Sequence, residues 1–255
     1  MLQAILWTYA ALTGAAVGSF LNVCVYRLPE GESVITPRSR CPQCSTPVGW
    51  RDNIPVVSFL LLRGRCRTCR VPISVQYPLI ELATAAIWVA AVARYGLAWE
   101  ALSTAIFFTL LLGIALTDAR TYIIPDEFSL GGLAAGLLLA LAPGGISIWQ
   151  SLAGAALGFG LLWGVGALGE WLFKKPAMGG GDIKMMAMVG AFLGPLGVLL
   201  TIFAGALIGS VIFGPISWRT GKLVPFGIFL ALGAGITEVW GTAIINWYRT
   251  AILGA

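Results

Sequence analysis

The 255-residue sequence contains no histidine and little charge: 11% of its residues are Asp, Glu, Lys or Arg, where a soluble chain carries about one quarter. Without histidine there can be no Ser-His-Asp triad, no Cys-His dyad, no HExxH metal site and no His-ligated metal of any kind. Lysine is scarce as well, with four in all, and no serine closely flanks Lys174, Lys175 or Lys184, which counts against a Ser-Lys hydrolase. No glycine-rich nucleotide loop follows a strand pattern, and no internal repeat or low-complexity tract stands out. What is abundant is apolar: 58% of residues are hydrophobic and the mean hydropathy is +0.88, so the chain belongs in a membrane. The net charge of +5 sits mostly beside apolar runs, where it sets topology and faces lipid head groups. Membrane lipid is thus an expected partner and nucleic acid is not.

The first apolar run, 4–24, has no basic residue before it and is long enough to cross a bilayer, so it reads as a retained transmembrane helix rather than a signal peptide. From 27 to about 77 the character changes, with eight arginines, six prolines and four of the five cysteines. Apolar runs follow at 78–93, 99–117, 128–141, 148–173, 183–193, 196–218 and 226–247. The expected fold is all-α and polytopic, with about eight transmembrane helices and a small domain between the first two. The boundary of the sixth and seventh runs rests on Gly194-Pro195-Leu196-Gly197 alone. With the N-terminus outside, 14 of the 16 basic residues, including Arg120, Lys174, Lys175, Lys184, Arg219 and Lys222, fall on one side, which the positive-inside rule makes cytoplasmic. Trp99, Trp149, Trp218, Trp247 and Tyr248 mark run ends. The expected division is 1–26 as the first helix, 27–77 as a cytoplasmic domain and 78–255 as a seven-helix membrane domain.

Cys41-x-x-Cys44 and Cys66-x-x-Cys69 bracket 21 residues. Two such turns supply four thiolates for a structural Zn2+ closing a domain too small to fold on its own core. Two disulfides are the alternative, but they need an oxidising compartment. Cys24, at the end of the first run, reads as a small apolar filler.

Carboxylates in or beside spans cost roughly 2.5 to 3.5 kcal/mol on insertion scales and need a reason. Glu81 and Glu170 lie near run ends, and Glu238 lies deeper. Asp118 ends the third run, and Asp182 opens the sixth after Gly179-Gly180-Gly181, so both reach the same depth on the same side. If those helices are neighbours, the two carboxyls can face each other across a water and share one proton, one serving as base and the other as acid to a peptide bond. The glycines would give a substrate backbone room and allow φ > 0. Asp182 can also be read as a helix N-cap, and Asp126, after Pro125, reads as one.

Several stretches carry a further signal: Gly18-Ser19-Phe20-Leu21-Asn22-Val23, Tyr26-Arg27-Leu28-Pro29, Arg40-Cys41-Pro42-Gln43-Cys44, Asn53-Ile54-Pro55, Arg63 to Cys69, Gln76-Tyr77-Pro78 with Glu81, Asp118 to Asp126, Gly179 to Lys184, and Pro225-Phe226-Gly227. In this order, over nearly the whole chain, they resemble the bifunctional type IV prepilin peptidases of bacterial inner membranes. The resemblance implies a GxGD-type membrane aspartic protease that cuts the short basic leader from prepilins and pseudopilins at the cytoplasmic face. It also implies N-methylation of the new N-terminal residue, usually Phe, from S-adenosylmethionine. The catalytic pair would be Asp118 and Asp182, the substrate-approach loop Gly179, Gly180, Gly181 and Lys184, and the zinc ligands Cys41, Cys44, Cys66 and Cys69. Asp52 stands where relatives commonly have Glu, which keeps the charge. The methyl-donor site is sought near Asp52, Asn53 and Glu81, and Lys184, Lys174 and Arg120 can orient carbonyls at the peptidase site. Two rivals from other classes are a proton-coupled transporter using the same aspartates and a non-catalytic factor that docks a partner on the cysteine domain. The oligomeric state is not encoded legibly.

Overall fold

A computed structural model describes residues 1–220 and 225–252, with side chains for all of these except 214–220; Lys222 and the side chains of Trp218 and Arg219 lie outside the described residues. Helices dominate and no extended strand forms among the described residues, as hydrocarbon demands of a backbone that must satisfy its own N–H and C=O groups. The chain divides into two compact units, Met1–Thr109 and Leu110–Ala255.

The first unit holds α1 (Leu2–Arg27), a cysteine domain containing the short α2 (Val57–Leu61), α3 (Gln76–Tyr95) and the start of α4 (Trp99–Thr121). Small residues let α1 and α3 meet closely: a Cβ on Gly14 would lie 2.8 Å from Ala85 Cα, and one on Gly18 would lie 2.8 Å from Glu81 Cα, the Gly-x-x-x-Gly geometry of membrane helix pairs. Polar atoms line the same seam, where buried Asn22 donates to the Tyr77 carbonyl at 3.1 Å and Tyr26 stacks on Tyr77.

The second unit holds the remainder of α4, then α5 (Asp126–Leu139), α6 (Ile148–Phe173), α7 (Gly180–Thr220) and α8 (Phe226–Ala251). α7 is two helical arms that meet at a kink at Gly194, whose φ of 70° and ψ of −177° only glycine adopts readily. Its two arms run in opposite senses. Along the first arm, Lys184, Met188 and Ala191 meet Asp126, Gly132 and Gly136 of α5, so the two run parallel, while Met186 and Gly190 meet Gly158 and Gly154 of α6 in antiparallel register. Along the second arm Thr201, Gly205 and Gly209 meet Thr237, Gly233 and Phe229 of α8, again antiparallel. The second arm therefore returns to the end at which α8 begins. Among the described residues six helices are long and apolar enough to cross a membrane, against the eight runs expected. The difference lies in α5, only 14 residues long, and in α7, where the expected sixth and seventh runs are two arms joined at Gly194. At 1.5 Å per residue, α5 and the first arm each reach about 20 Å, short of the ~30 Å hydrocarbon layer.

The α6 contact is tight enough to test. A Cβ on Gly158 would lie 2.1 Å from the Met186 carbonyl oxygen, whereas Gly160 and Gly164 face open space. Gly158→Ala is expected to cost about 1–3 kcal/mol by overpacking and to lower the thermal midpoint in micelles by several degrees. Gly160→Ala and Gly164→Ala should leave it unchanged or raise it.

Candidate active site and metal centre

Asp118 lies in the last turn of α4 and is 5% exposed. Pro225 caps α8, so Phe226, Gly227 and Ile228 are its first three residues, and their amides have no partner within the helix. The Ile228 amide donates to Asp118 Oδ2 at 3.2 Å, with a second bond from Gly227. A helix N-terminus aimed at a carboxylate stabilises negative charge. Gly227 must be small for this: a Cβ there would lie 2.9 Å from Asp118 Oδ2 and 2.8 Å from Ile124 Cδ1. The motif Pro225-Phe226-Gly227 is visible in the sequence, but its role in placing a carboxylate cradle is not, because the Ile228 amide that follows it lies 110 residues from Asp118.

Asp182 is half-buried in the first turn of α7 and interacts electrostatically with Asp118. It follows the helix start at Gly180, so it is not the N-cap. The glycines before it differ from one another. A Cβ on Gly179 would crowd Asp182 Oδ2 at 3.1 Å, one on Gly181 would press on Ile124 Cβ at 2.9 Å, and Gly180 faces open space. None of the three has positive φ, so close approach rather than backbone freedom is what they provide. Asp126 is also not a cap: Pro125 holds that position without a side-chain bond, and both Asp126 oxygens accept from Lys184 Nζ, at 2.7 and 2.8 Å. Lys184 is thereby committed to tying the start of α5 to the start of α7, and Lys174 lies over the Trp171 ring.

The four cysteines of the first unit converge. Their Sγ atoms all lie within 4.8 Å of one another, with Cys41 to Cys69 at 3.7 Å and Cys44 to Cys66 at 4.0 Å. These are not disulfide distances. They match the roughly 3.8 Å edge of a tetrahedron with metal–sulfur bonds near 2.3 Å, so the cluster can hold a metal ion. Thr46, through its side chain and then its backbone, holds the Cys44 thiol down to about 6, which favours the thiolate that a metal requires. Each pair sits in a knuckle with the same bonds at a constant offset. Arg40 bridges Pro47 and Arg65 bridges Pro72, while the amides of Ser45 and Arg70, both at positive φ, donate to Cys41 and Cys66. The domain is therefore an internal duplication, Arg-Cys-x-x-Cys-x-x-Pro at 40–47 and again at 65–72. This corrects the expectation that the chain holds no internal repeat: the two octets share their spacing in the sequence itself.

Asp52 and Glu81 both anchor the segment between the knuckles. Arg67, inside the second knuckle, grips Asp52 with Nε to Oδ2 at 2.8 Å and Nη2 to Oδ1 at 2.6 Å, holding that carboxyl below the usual carboxylate range. Glu81 Oε2 accepts the Val56 amide at 2.7 Å. Asn53 lies between these anchors and is exposed.

Fold and site together define a multi-pass helical membrane protein with a four-cysteine cluster suited to a metal and a pair of interacting carboxylates. Residues 105–214 match the type IV leader peptidase family and residues 12–95 the bacterial peptidase A24 N-terminal domain, and the chain belongs to this family. A prepilin leader peptidase/N-methyltransferase of Aeromonas hydrophila is 35% identical over 97% of this chain and 96% of its own. Proteins of the same name from Neisseria gonorrhoeae and Pseudomonas putida are 34% and 36% identical, over 94% and 93% of this chain and 94% and 91% of theirs. The chain is accordingly an enzyme, a protease with methyltransferase activity. No solved structure matches it.

Proposed function

We propose that this protein removes the short basic leader of prepilins and pseudopilins at the cytoplasmic face of the bacterial inner membrane, using Asp118 and Asp182, and then methylates the new N-terminal residue, usually Phe. The observation that carries the first half is the interacting pair of carboxylates, one cradled by the start of α8 and the other opening α7. One aspartate, ionised, takes a proton from water as its oxygen adds to the scissile carbonyl carbon, and the other gives its proton to the carbonyl oxygen. The C–N bond then breaks as the first aspartate protonates the leaving amine, while the second recovers a proton from the new hydroxyl. The pair ends, as it began, with one shared proton. Gly180, open to its surroundings, is where an extended substrate backbone can approach. A basic leader followed by an apolar helix can meet a site at membrane depth without leaving the bilayer.

The functional division that follows is 1–26 as a membrane helix, 27–77 as the metal domain and 78–255 as the peptidase. In the metal domain Cys41, Cys44, Cys66 and Cys69 hold Zn2+, whose role is structural because all four positions are filled. Asp52 and Asn53 fit a methyl donor by their chemistry: the Asp52 carboxylate keeps lone pairs beyond those engaged by Arg67 and can accept ribose hydroxyls, and the Asn53 amide is exposed beside it. S-adenosylmethionine supplies, when bound, an electrophilic methyl group to the new amine. Mass spectrometry of a purified prepilin incubated with the solubilised protein and this donor tests the whole reading. Loss of the leader and gain of one methyl group are expected, and an unaltered prepilin would overturn it.

The Lys184–Asp126 pair makes a contrasting prediction. It is substantially exposed, and such pairs are worth about 0–1 kcal/mol. Lys184→Met and Asp126→Asn are therefore expected to keep kcat/KM for cleavage within roughly tenfold of the parent.

A further inference from the structure

Residues 50–57 contain the most strained backbone near the methyl-donor residues. Val56 has φ 61° and ψ −49°, and the Val57 amide donates to the Pro55 carbonyl at 2.6 Å, which closes a γ-turn of the positive-φ type. That turn is rare for any residue, and a β-branched side chain makes it worse. It is held from outside. The Val56 amide is bound by Glu81, a carboxylate on α3 that is 8% exposed and also bonded to Ser19 of α1. A carboxylate set among membrane helices is costly, and here it grips one amide of a strained turn. Four residues before Val56, in the 3-10 turn Trp50–Asn53 that opens the same segment, Asp52 is gripped by Arg67 of the second cysteine knuckle.

We propose that residues 50–57 form a strap pinned at both ends, through Asp52 to Arg67 and through Val56 to Glu81, and that Arg67 and Glu81 are positioning residues for methyl transfer. Neither needs to touch the donor. Arg67 transmits the geometry of the metal knuckle to Asp52, and Glu81 transmits that of the α1–α3 pair to Val56, so that Asp52 and the exposed Asn53 are presented in one arrangement. Strain maintained by surrounding structure is a hallmark of sites where geometry matters more than stability. This inference rests on the reading that methyl transfer uses Asp52 and Asn53.

The test uses the full-length protein in micelles and five variants: Glu81→Ala, Glu81→Gln, Arg67→Met, Asp52→Asn and Asn53→Ala. Four quantities are read for each: methylation of a synthetic mature N-terminal peptide with kcat and KM separated, leader cleavage, zinc content, and amide hydrogen exchange across 50–57. Glu81→Ala and Arg67→Met are expected to lower methylation about 10- to 100-fold, to speed exchange in the strap, and to leave cleavage and zinc content unchanged. Glu81→Gln should recover much of the loss, because its amide oxygen still accepts from Val56. If Asp52→Asn abolishes methylation while Glu81→Ala and Arg67→Met do not affect it, the strap is wrong and the reading beneath it stands. If Glu81→Ala instead lowers zinc content, cleavage and methylation together, Glu81 is merely a structural anchor and the positioning role is overturned. If Asp52→Asn and Asn53→Ala both methylate normally, the reading itself fails and the strap's role falls with it.

Discussion

Asp118→Asn and Asp182→Asn should each abolish leader cleavage, by at least about 10³-fold, while methylation of an already mature N-terminus continues. General acid and base groups contribute about 10²–10⁴ each, and a pair sharing one proton works only as a unit. The double variant is therefore expected to be no worse than either single one, since groups that act together are strongly non-additive. Asn is the right substitution because it preserves volume and, at 118, keeps an oxygen that can accept the Ile228 amide, now at 3.2 Å from Oδ2. The α8 start should stay in place and the fold with it, which circular dichroism and an unchanged methylation rate would check. Cleavage above about one tenth of the parent rate in either variant, at matched folding, would sink the aspartic mechanism.

The contrast with Lys184 and Asp126 sharpens this expectation. Asp118 lies in the last turn of α4, Asp126 opens α5, and Asp182 and Lys184 lie at the start of α7, and all four are ionisable. Asp126 and Lys184 neutralise each other in an exposed pair, so their loss removes a tie worth little. Asp118 is 5% exposed, and its carboxyl faces helix-terminal amides and another carboxylate. That arrangement suits a group that gains and loses a proton, and poorly suits one whose purpose is to hold helices together.

How much of this was legible in sequence depended on the kind of signal. Apolar runs placed the helices, since length and hydropathy suffice for spans. They said little about which faces meet, because a helix apolar all round carries no stripe to read. Only small residues betrayed the contacts: Gly14 and Gly18 against α3, Gly154 and Gly158 against the first arm of α7. Gly194-Pro195 marked a boundary, and the positive φ at Gly194 lies there. Asp118, Asp182 and the four cysteines stood out because their residue types are expensive or reactive in that setting. The partners of these residues did not stand out. Asp126 looked like a cap by its place after Pro125, yet its partner is 58 residues away, and Glu81 bonds an amide 25 residues back. No local pattern encodes such pairings. Backbone amides such as those of Gly227 and Ile228 are beyond side-chain reasoning altogether.

The second large effect concerns the metal. Cys41→Ser or Cys66→Ser is expected to eliminate bound zinc, unfold the cysteine domain and abolish methylation, while cleavage persists within roughly tenfold. The physical basis is the absence of a core: of residues 28–77 only Cys41 and Ser58 are buried. A stretch of this size that buries so little cannot offset its own chain entropy, at about 1–2 kcal/mol for each ordered backbone residue. Metal binding to four thiolates, at an apparent 10–16 kcal/mol for small zinc domains, is the one term of sufficient size. Arg67 lies between Cys66 and Cys69, so losing the metal also frees the guanidinium that grips Asp52. Asp118 and Asp182 belong to the other compact unit, which is why cleavage should survive. Elemental analysis should find about one zinc per chain in the parent and none in the variants, and amide exchange should become fast from 39 to 73 but not in α5 to α8. A protein with all four cysteines replaced that keeps slow exchange in this domain and methylates at the parent rate would show that the metal is dispensable and that something other than zinc holds the knuckles together.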